Sequence, residues 1–355
     1  MKNRINRPLD HRQFAERLLI IIAAALALFL LWQLSDLLVL LFGSVIVAVV
    51  LGGAAEPISM KTGLKRRSAL AIVVLSISLA FTVLLVLFGA QINSQFSDIA
   101  RNVPEGWRNL EKIIEGLPFG DNIVRSLREA ILGGNNIVGR LGNLILTLGN
   151  VIADLILIAI GAIFFAAQPN LYRNGFLKLI PVSWRNLAAE AVDDSGRALR
   201  LWFRGQLLSM AIVGVLTWLG LTLLGVPSAF ALGWIAGLAE IIPYAGPIIA
   251  AIPGLLLALL IGPHKAMWVL LVYVAVQQLE GNVIQPLIQQ KIVSLPPALT
   301  LFGMVAGGIL FGFLGLVLAA PALVVAYVFL KRLYVVELLH TPTLVPGEEP
   351  ANAGQ

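Results

Sequence analysis

The sequence predicts an all-α, polytopic integral membrane protein with about eight transmembrane segments, two of the C-terminal ones being hairpins interrupted by Gly and Pro. Three observations carry this reading. Of the 355 residues 59% are hydrophobic and only 12% charged, against about half and a quarter in an ordinary globular domain. The apolar residues run in stretches near the ~20 residues that a helix needs to cross a bilayer. The basic residues sit in short runs between those stretches, as the positive-inside rule requires of cytoplasmic loops.

The elements follow in order. A basic start (Lys2, Arg4, Arg7, Arg12, Arg17) precedes an apolar run over 18–34. It has the outline of a signal peptide, but a second apolar run follows directly, so it is read as a retained span. Further spans are predicted at 37–55, 69–90, 144–167 and 206–225, and a plain one at about 266–282. The blocks 229–261 and 298–330 are apolar but broken by Gly and Pro, so each is expected to re-enter or to cross as a bent hairpin. The domains are then an N-terminal membrane region 1–90, an extracytoplasmic amphipathic helical segment 91–143, a fourth span 144–167, and a cytoplasmic amphipathic segment 168–204. A transport region 205–332 and a largely disordered cytoplasmic tail 333–355 complete the chain.

Orientation comes from charge. Residues 1–17 hold five basic and two acidic residues, 56–68 four and one, and 168–204 six and three, whereas 91–143 has six of each. The first three segments are placed inside and the last outside, in a bacterial inner membrane with both termini cytoplasmic. Within 168–204, Ala188, Val192, Ser195, Leu199 and Trp202 recur at helical spacing beside Arg197, Arg200 and Arg204. That helix is expected to lie along the membrane surface among headgroups, or to pack on another subunit.

The last third repeats. A shift of about 70 residues brings Gly233, Ala236 and Gly237 onto Gly303, Ala306 and Gly307. With one-residue gaps Gly246, Ala250, Ala251 and Pro253 fall on Gly315, Ala319, Ala320 and Pro321. Separated by one span, such copies would open to opposite sides, the arrangement from which many secondary transporters build a site. Kinks that only pack helices through small residues are the alternative.

Fifteen of the 19 acidic residues lie in polar segments or the tail, leaving Asp36, Asp154, Glu240 and Glu280. Glu240 and Glu280 lie in or beside interrupted blocks, where an ionisable group is costly and marks function by default. Around Glu280 the amides of Gln277, Gln278 and Asn282, followed by Pro286, gather groups able to bind a polar solute; a polar collar that ends the helix is the alternative. Chemistry is argued down: there is no cysteine, no metal spacing among His11, His264 and His340, and no phosphate loop ending in Lys-Ser/Thr. No enzyme activity, cofactor or nucleic-acid partner is expected.

The strings Arg204-Gly205-Gln206, Gly225-Val226-Pro227, Ile242-Pro243-Tyr244-Ala245-Gly246-Pro247, Gln278 to Pro286 and Leu295-Pro296-Pro297 occur in this order. In that order they resemble the autoinducer-2 exporter family of permeases. The resemblance implies a multispan, oligomeric carrier that exports autoinducer-2 or a related small polar metabolite, with Pro243, Tyr244, Gly246 and Pro247 and the segment from Glu280 to Pro286 in the transport region. It also implies a rival, since some relatives are described as sodium(lithium)/proton antiporters. Glu240 lies outside the motif, and its candidacy rests on burial cost alone. The expected function is therefore alternating-access transport of a small polar solute, with cation/proton antiport involving H⁺ or Na⁺ as the alternative. A non-transporting membrane scaffold is the third reading. The expected partners are the bilayer, the solute and further copies of the chain.

Overall fold

A computed structural model describes residues 18–115 (except 20, 24, 27, 28 and 31), 137–286, 296–341 and 343. Among these the chain is helical and holds no strand. The stretch 116–136 of the expected extracytoplasmic segment, residues 287–295 with Leu295 of the Leu295-Pro296-Pro297 string, and the tail from 344 lie outside the described residues. The described part of the 18–34 run is helical and exposed. Helices α1 (Ser35–Thr62), α2 (Arg66–Glu115) and α3 (Ile137–Ala167) follow. They meet through small residues, with Ala48, Ala55, Ala69, Ala162 and Ala166 buried together. In a bilayer, where apolar side chains gain little by leaving lipid, such close approach is what holds helices together.

Helix α2 is one element of 50 residues, about 75 Å long at 1.5 Å per residue. The expected span 69–90 therefore continues without a break through residue 115, rather than giving way to separate amphipathic helices. Its far part packs on the later helices: a Cβ on Gly106 would collide with the backbone of Leu256.

After a short α4 (Pro169–Lys178), α5 runs unbroken over Arg185–Leu223. The polar segment and the fifth span are thus one helix. The face carrying Ala188, Ser195 and Leu199 is buried. Ala198 and Leu199 pack with Ile46 of α1 and with Val324 and Val328, so protein, not lipid headgroups, covers it. This corrects the expectation of a helix lying flat on the membrane.

The first interrupted block is α6 (Ala229–Ala239), a non-helical turn, and α7 (Ala245–Ile261). Then α8 (Pro263–Leu279) passes into a π-helical turn, Glu280–Ile284. The second block is α9 (Pro297–Phe329), which is bent back on itself at Gly312 (φ 62°, ψ −145°). The arms 297–311 and 313–329 lie side by side: a Cβ on Gly303 would come 2.6 Å from Leu323, and one on Gly307 2.6 Å from the Gly315 carbonyl. Both blocks are therefore helix–break–helix hairpins. Each break contains a residue with positive φ, Tyr244 and Gly312, and each is followed by a glycine, Gly246 or Gly315, pressed on the backbone of the preceding arm. The correspondence matches the sequence repeat to within one residue.

A π-helical stretch, Leu330–Leu338, extends α9, so the start of the tail is ordered helix where disorder was expected. Among the described residues, five helices or helix runs are long and apolar enough to cross a membrane by length and composition. The last of these, 297–338, contains the Gly312 bend, so it is two arms and not one straight span. Outward faces such as Ile152, Leu155, Ile156, Ile163 and Phe164 on α3 are exposed apolar surface, which water would penalise and lipid accommodates.

Candidate functional site

The first break forms because the chain cannot continue α6. Pro243 lacks a backbone N–H and its ring restricts the residue before it. Tyr244 then adopts φ 65°, ψ −49°, while the Ala245 N–H donates to the Pro243 carbonyl at 2.7 Å. This is a γ-turn of the rare, strained hand. Gly246 follows because its Cα lies against the Ala239 carbonyl, where a Cβ would collide. Pro247 falls in the first turn of α7, where a missing N–H costs nothing.

At the end of α6 the backbone carbonyls lack helical partners. The Gln206 side-chain amide of α5 donates to the Glu240 carbonyl at 2.6 Å, meeting part of that need. Gln95 of α2 serves the other end of the same helix, accepting from the Ala231 N–H at 2.9 Å. Glycines 214, 233 and 237 allow α5 and α6 to approach this closely: a Cβ on Gly237 would lie 2.7 Å from the Met210 carbonyl.

The Glu240 side chain is 2% exposed, and its Oε2 has no hydrogen-bond partner. Glu280, 3% exposed, lies within electrostatic range of Glu240 and of Tyr244. It is better satisfied. Ser209 Oγ donates to its Oε1 at 3.1 Å and Gln277 Nε2 to its Oε2 at 3.3 Å, and the Gln285 side chain also hydrogen-bonds it. Among the described residues neither glutamate forms an ion pair. A π-helical turn begins at Glu280, a local unwinding that often marks functional sites in helices.

The structure brings together Glu240, Tyr244, Gln277 and Glu280 of the sequence-predicted residues, with Pro243, Gly246 and Pro247 shaping the break beside them. Gln278 and Asn282 are elsewhere: their side chains bond each other at 2.8 Å on an exposed face. At about 100° per residue, Gln277 and Glu280 share one face and Gln278 and Asn282 the next. Pro286 is exposed at the end of the segment. The break also touches the second hairpin, where Ile242 is buried with Met304 and Ala319, flanked by Ile241, Ala245, Leu316 and Val317.

Sequence reading missed Ser209 and gave Gln206 no role. Their signal was present, since they are two polar residues one turn apart in an otherwise apolar stretch.

With this arrangement described, the resemblance of the chain to known proteins is decisive. Residues 19–334 match the AI-2E family transporter pattern. The chain belongs to this family. Among similar proteins, YueF of Bacillus subtilis (strain 168), named as a candidate transport protein, is 32% identical over 200 residues, covering 56% of this chain and 54% of YueF. YrrI of the same organism, named likewise, is 35% identical over 152 residues, 43% of each chain. PerM of Escherichia coli (strain K12), named as a candidate permease, is 26% identical over 207 residues, 58% of this chain and 54% of PerM. The AI-2E family chain thus matches about half the length of these relatives.

Proposed function

We propose that this AI-2E family chain is a secondary carrier that moves a small polar solute across a bacterial inner membrane by alternating access, autoinducer-2 being the solute to test first. The observation that carries the reading is the meeting of a broken helix with two buried acids: Glu240, with an unpartnered oxygen, and Glu280, held by Ser209, Gln277 and Gln285. Non-helical backbone at membrane depth is tolerated where it is enclosed in protein or lines a water-filled path. The two arms of the first hairpin have 11 and 17 residues and the entering arm of the second has 15, about 16–26 Å at 1.5 Å each, less than the ~30 Å hydrocarbon core, while the return arm of the second runs on into Leu330–Leu338. Each hairpin therefore re-enters. The basic ends near Arg204 and Lys331 face the cytoplasm by the positive-inside rule, so the first hairpin enters from outside and the second from inside. Motion of these two hairpins against the first five spans exposes the glutamates to each side in turn.

A second reading, sodium/proton antiport, is favoured by the same pair of carboxylates without a basic partner. Two negative charges there need a proton or a cation for company. Proteoliposomes preloaded with autoinducer-2 and a pH dye separate the readings. Release of the signal without a sodium-evoked pH change supports the carrier. A sodium-evoked pH change that is lost in Glu280→Gln, with no release of the signal, sinks it and establishes antiport.

A further inference from the structure

Along α5, about two turns before Gln206, a second polar arrangement is built from residues that the glutamate site does not use. The Arg200 side chain crosses α1 at Gly53, and Arg66 reaches the neighbouring Gly52. A Cβ on Gly53 would collide with Arg200 Cδ, and one on Gly52 would lie 3.0 Å from Arg66 Nη2. Two consecutive glycines thus form a shallow cradle in which one guanidinium from α5 and one from α2 lie on the same patch of α1. Arg200 also interacts electrostatically with Arg197 and Arg204, and with one carboxylate, Glu56.

The groups differ in how they are satisfied. Arg197 is paired with Asp194, and Arg66 Nε donates to the Ala166 carbonyl at 3.4 Å. Half-buried Arg200 has no hydrogen bond or ion pair among the described residues. A guanidinium carries five donors in a planar fork and cannot shed its charge. Held among three like charges with a single exposed acid nearby, it gains when an anion joins it. Phosphate oxygens match that fork in geometry and charge.

Position indicates the source of the phosphate. The cradle lies where the apolar stretch of α1 gives way to Glu56 and Lys61 and where the apolar half of α5 begins. Met60, Leu207 and Leu208 are exposed apolar side chains on the same two helices, available to acyl chains. We infer that Arg200 and Arg66, on the Gly52-Gly53 cradle and aided by Arg204, bind the phosphate of an anionic phospholipid headgroup. Such lipids enrich the cytoplasmic leaflet, which attracts basic residues near its surface.

The test is native mass spectrometry of the purified full chain released from detergent after incubation with phosphatidylglycerol, phosphatidylcholine or inorganic phosphate. The wild type should retain phosphatidylglycerol about tenfold better than phosphatidylcholine, and Arg66→Gln/Arg200→Gln should lose that preference. Arg173→Gln should keep it, because the Arg173 guanidinium is already engaged at both oxygens of Asp193. The preference of the wild type should also weaken in high salt, a readout that stands if the double variant does not fold. Equal retention of the two lipids, or a preference unchanged in the double variant, overturns the proposal. Displacement of phosphatidylglycerol by millimolar inorganic phosphate would also overturn the lipid as the occupant, while leaving an anion site for a soluble phosphate.

Discussion

Ser209 Oγ donates to Glu280 Oε1 at 3.1 Å, across 71 residues of sequence and in a buried setting. It ties the middle of α5 to the start of the π-helical turn and leaves Glu280 with donors on both oxygens, whereas Glu240 beside it has one oxygen with none.

Ser209→Ala removes that donor without adding bulk. The expected loss is about 1 kcal/mol of stability, the scale of a hydrogen bond between membrane helices, read by thermal unfolding in detergent. Solute flux should fall while Ser209→Thr retains most of it. Equal flux in Ser209→Ala and wild type would show that Glu280 needs no anchoring to α5.

Gly246→Ala should cost about 1–3 kcal/mol, because the new methyl meets the backbone carbonyl of Ala239, which cannot yield as a side chain would. Gly149→Ala is the matched control, with nothing within 4 Å of the added atom. It should be neutral or stabilise by up to about 1 kcal/mol through helix propensity. Unfolding midpoints of the two variants decide it.

The two hairpin breaks respond in opposite directions to substitution. Gly312 sits at φ 62°, ψ −145°, a region nearly closed to other residues, so Gly312→Ala should destabilise by about 1–3 kcal/mol. Tyr244 occupies φ 65° as a non-glycine, so Tyr244→Gly should relieve about 1 kcal/mol of strain. A Tyr244→Gly variant that is more stable yet transports less would show that the strained turn, or the half-exposed ring it presents, serves transport.

Much of this was legible in the sequence because glycine and proline record backbone events. Pro243, Gly246 and Gly307 mark where a helix stops or where two backbones touch, and the repeat of that punctuation gave both hairpins. Helix continuity was less legible. The polar stretch before Gln206 reads as a separate surface helix because periodicity describes a face, not what covers it; the cover comes from Ile46 and Val324, far away in sequence. The same holds for the site. Glu240 and Glu280 stand out by the cost of a charge in an apolar block, but the choice of Gln277 over Gln278 as a neighbour, and the donation from Ser209, depend on how α8 is rotated against α5. No local pattern encodes that rotation.

The final prediction concerns the join between α5 and the end of the second hairpin. Arg332, on the π-helical extension, is paired with Glu190 and lies 3.8 Å from Asp194, which is 2% exposed and also paired with Arg197. Removing one member of a buried ion pair strands the other, at a cost of about 3–5 kcal/mol when nothing else compensates. Arg197 remains to compensate here, so Arg332→Met should cost less, about 1–2 kcal/mol. In a double-mutant cycle Asp194→Asn should suppress part of the Arg332→Met effect, because the two act on one network. By contrast, the Arg173–Asp193 pair is 32% and 46% exposed, and Arg173→Met should cost no more than about 1 kcal/mol, as for other solvated pairs. Equal costs for the two arginine variants would mean that the C-terminal extension is not held to α5 through Asp194, and that the return arm of the second hairpin is fixed by the packing of Val324 and Val328 alone.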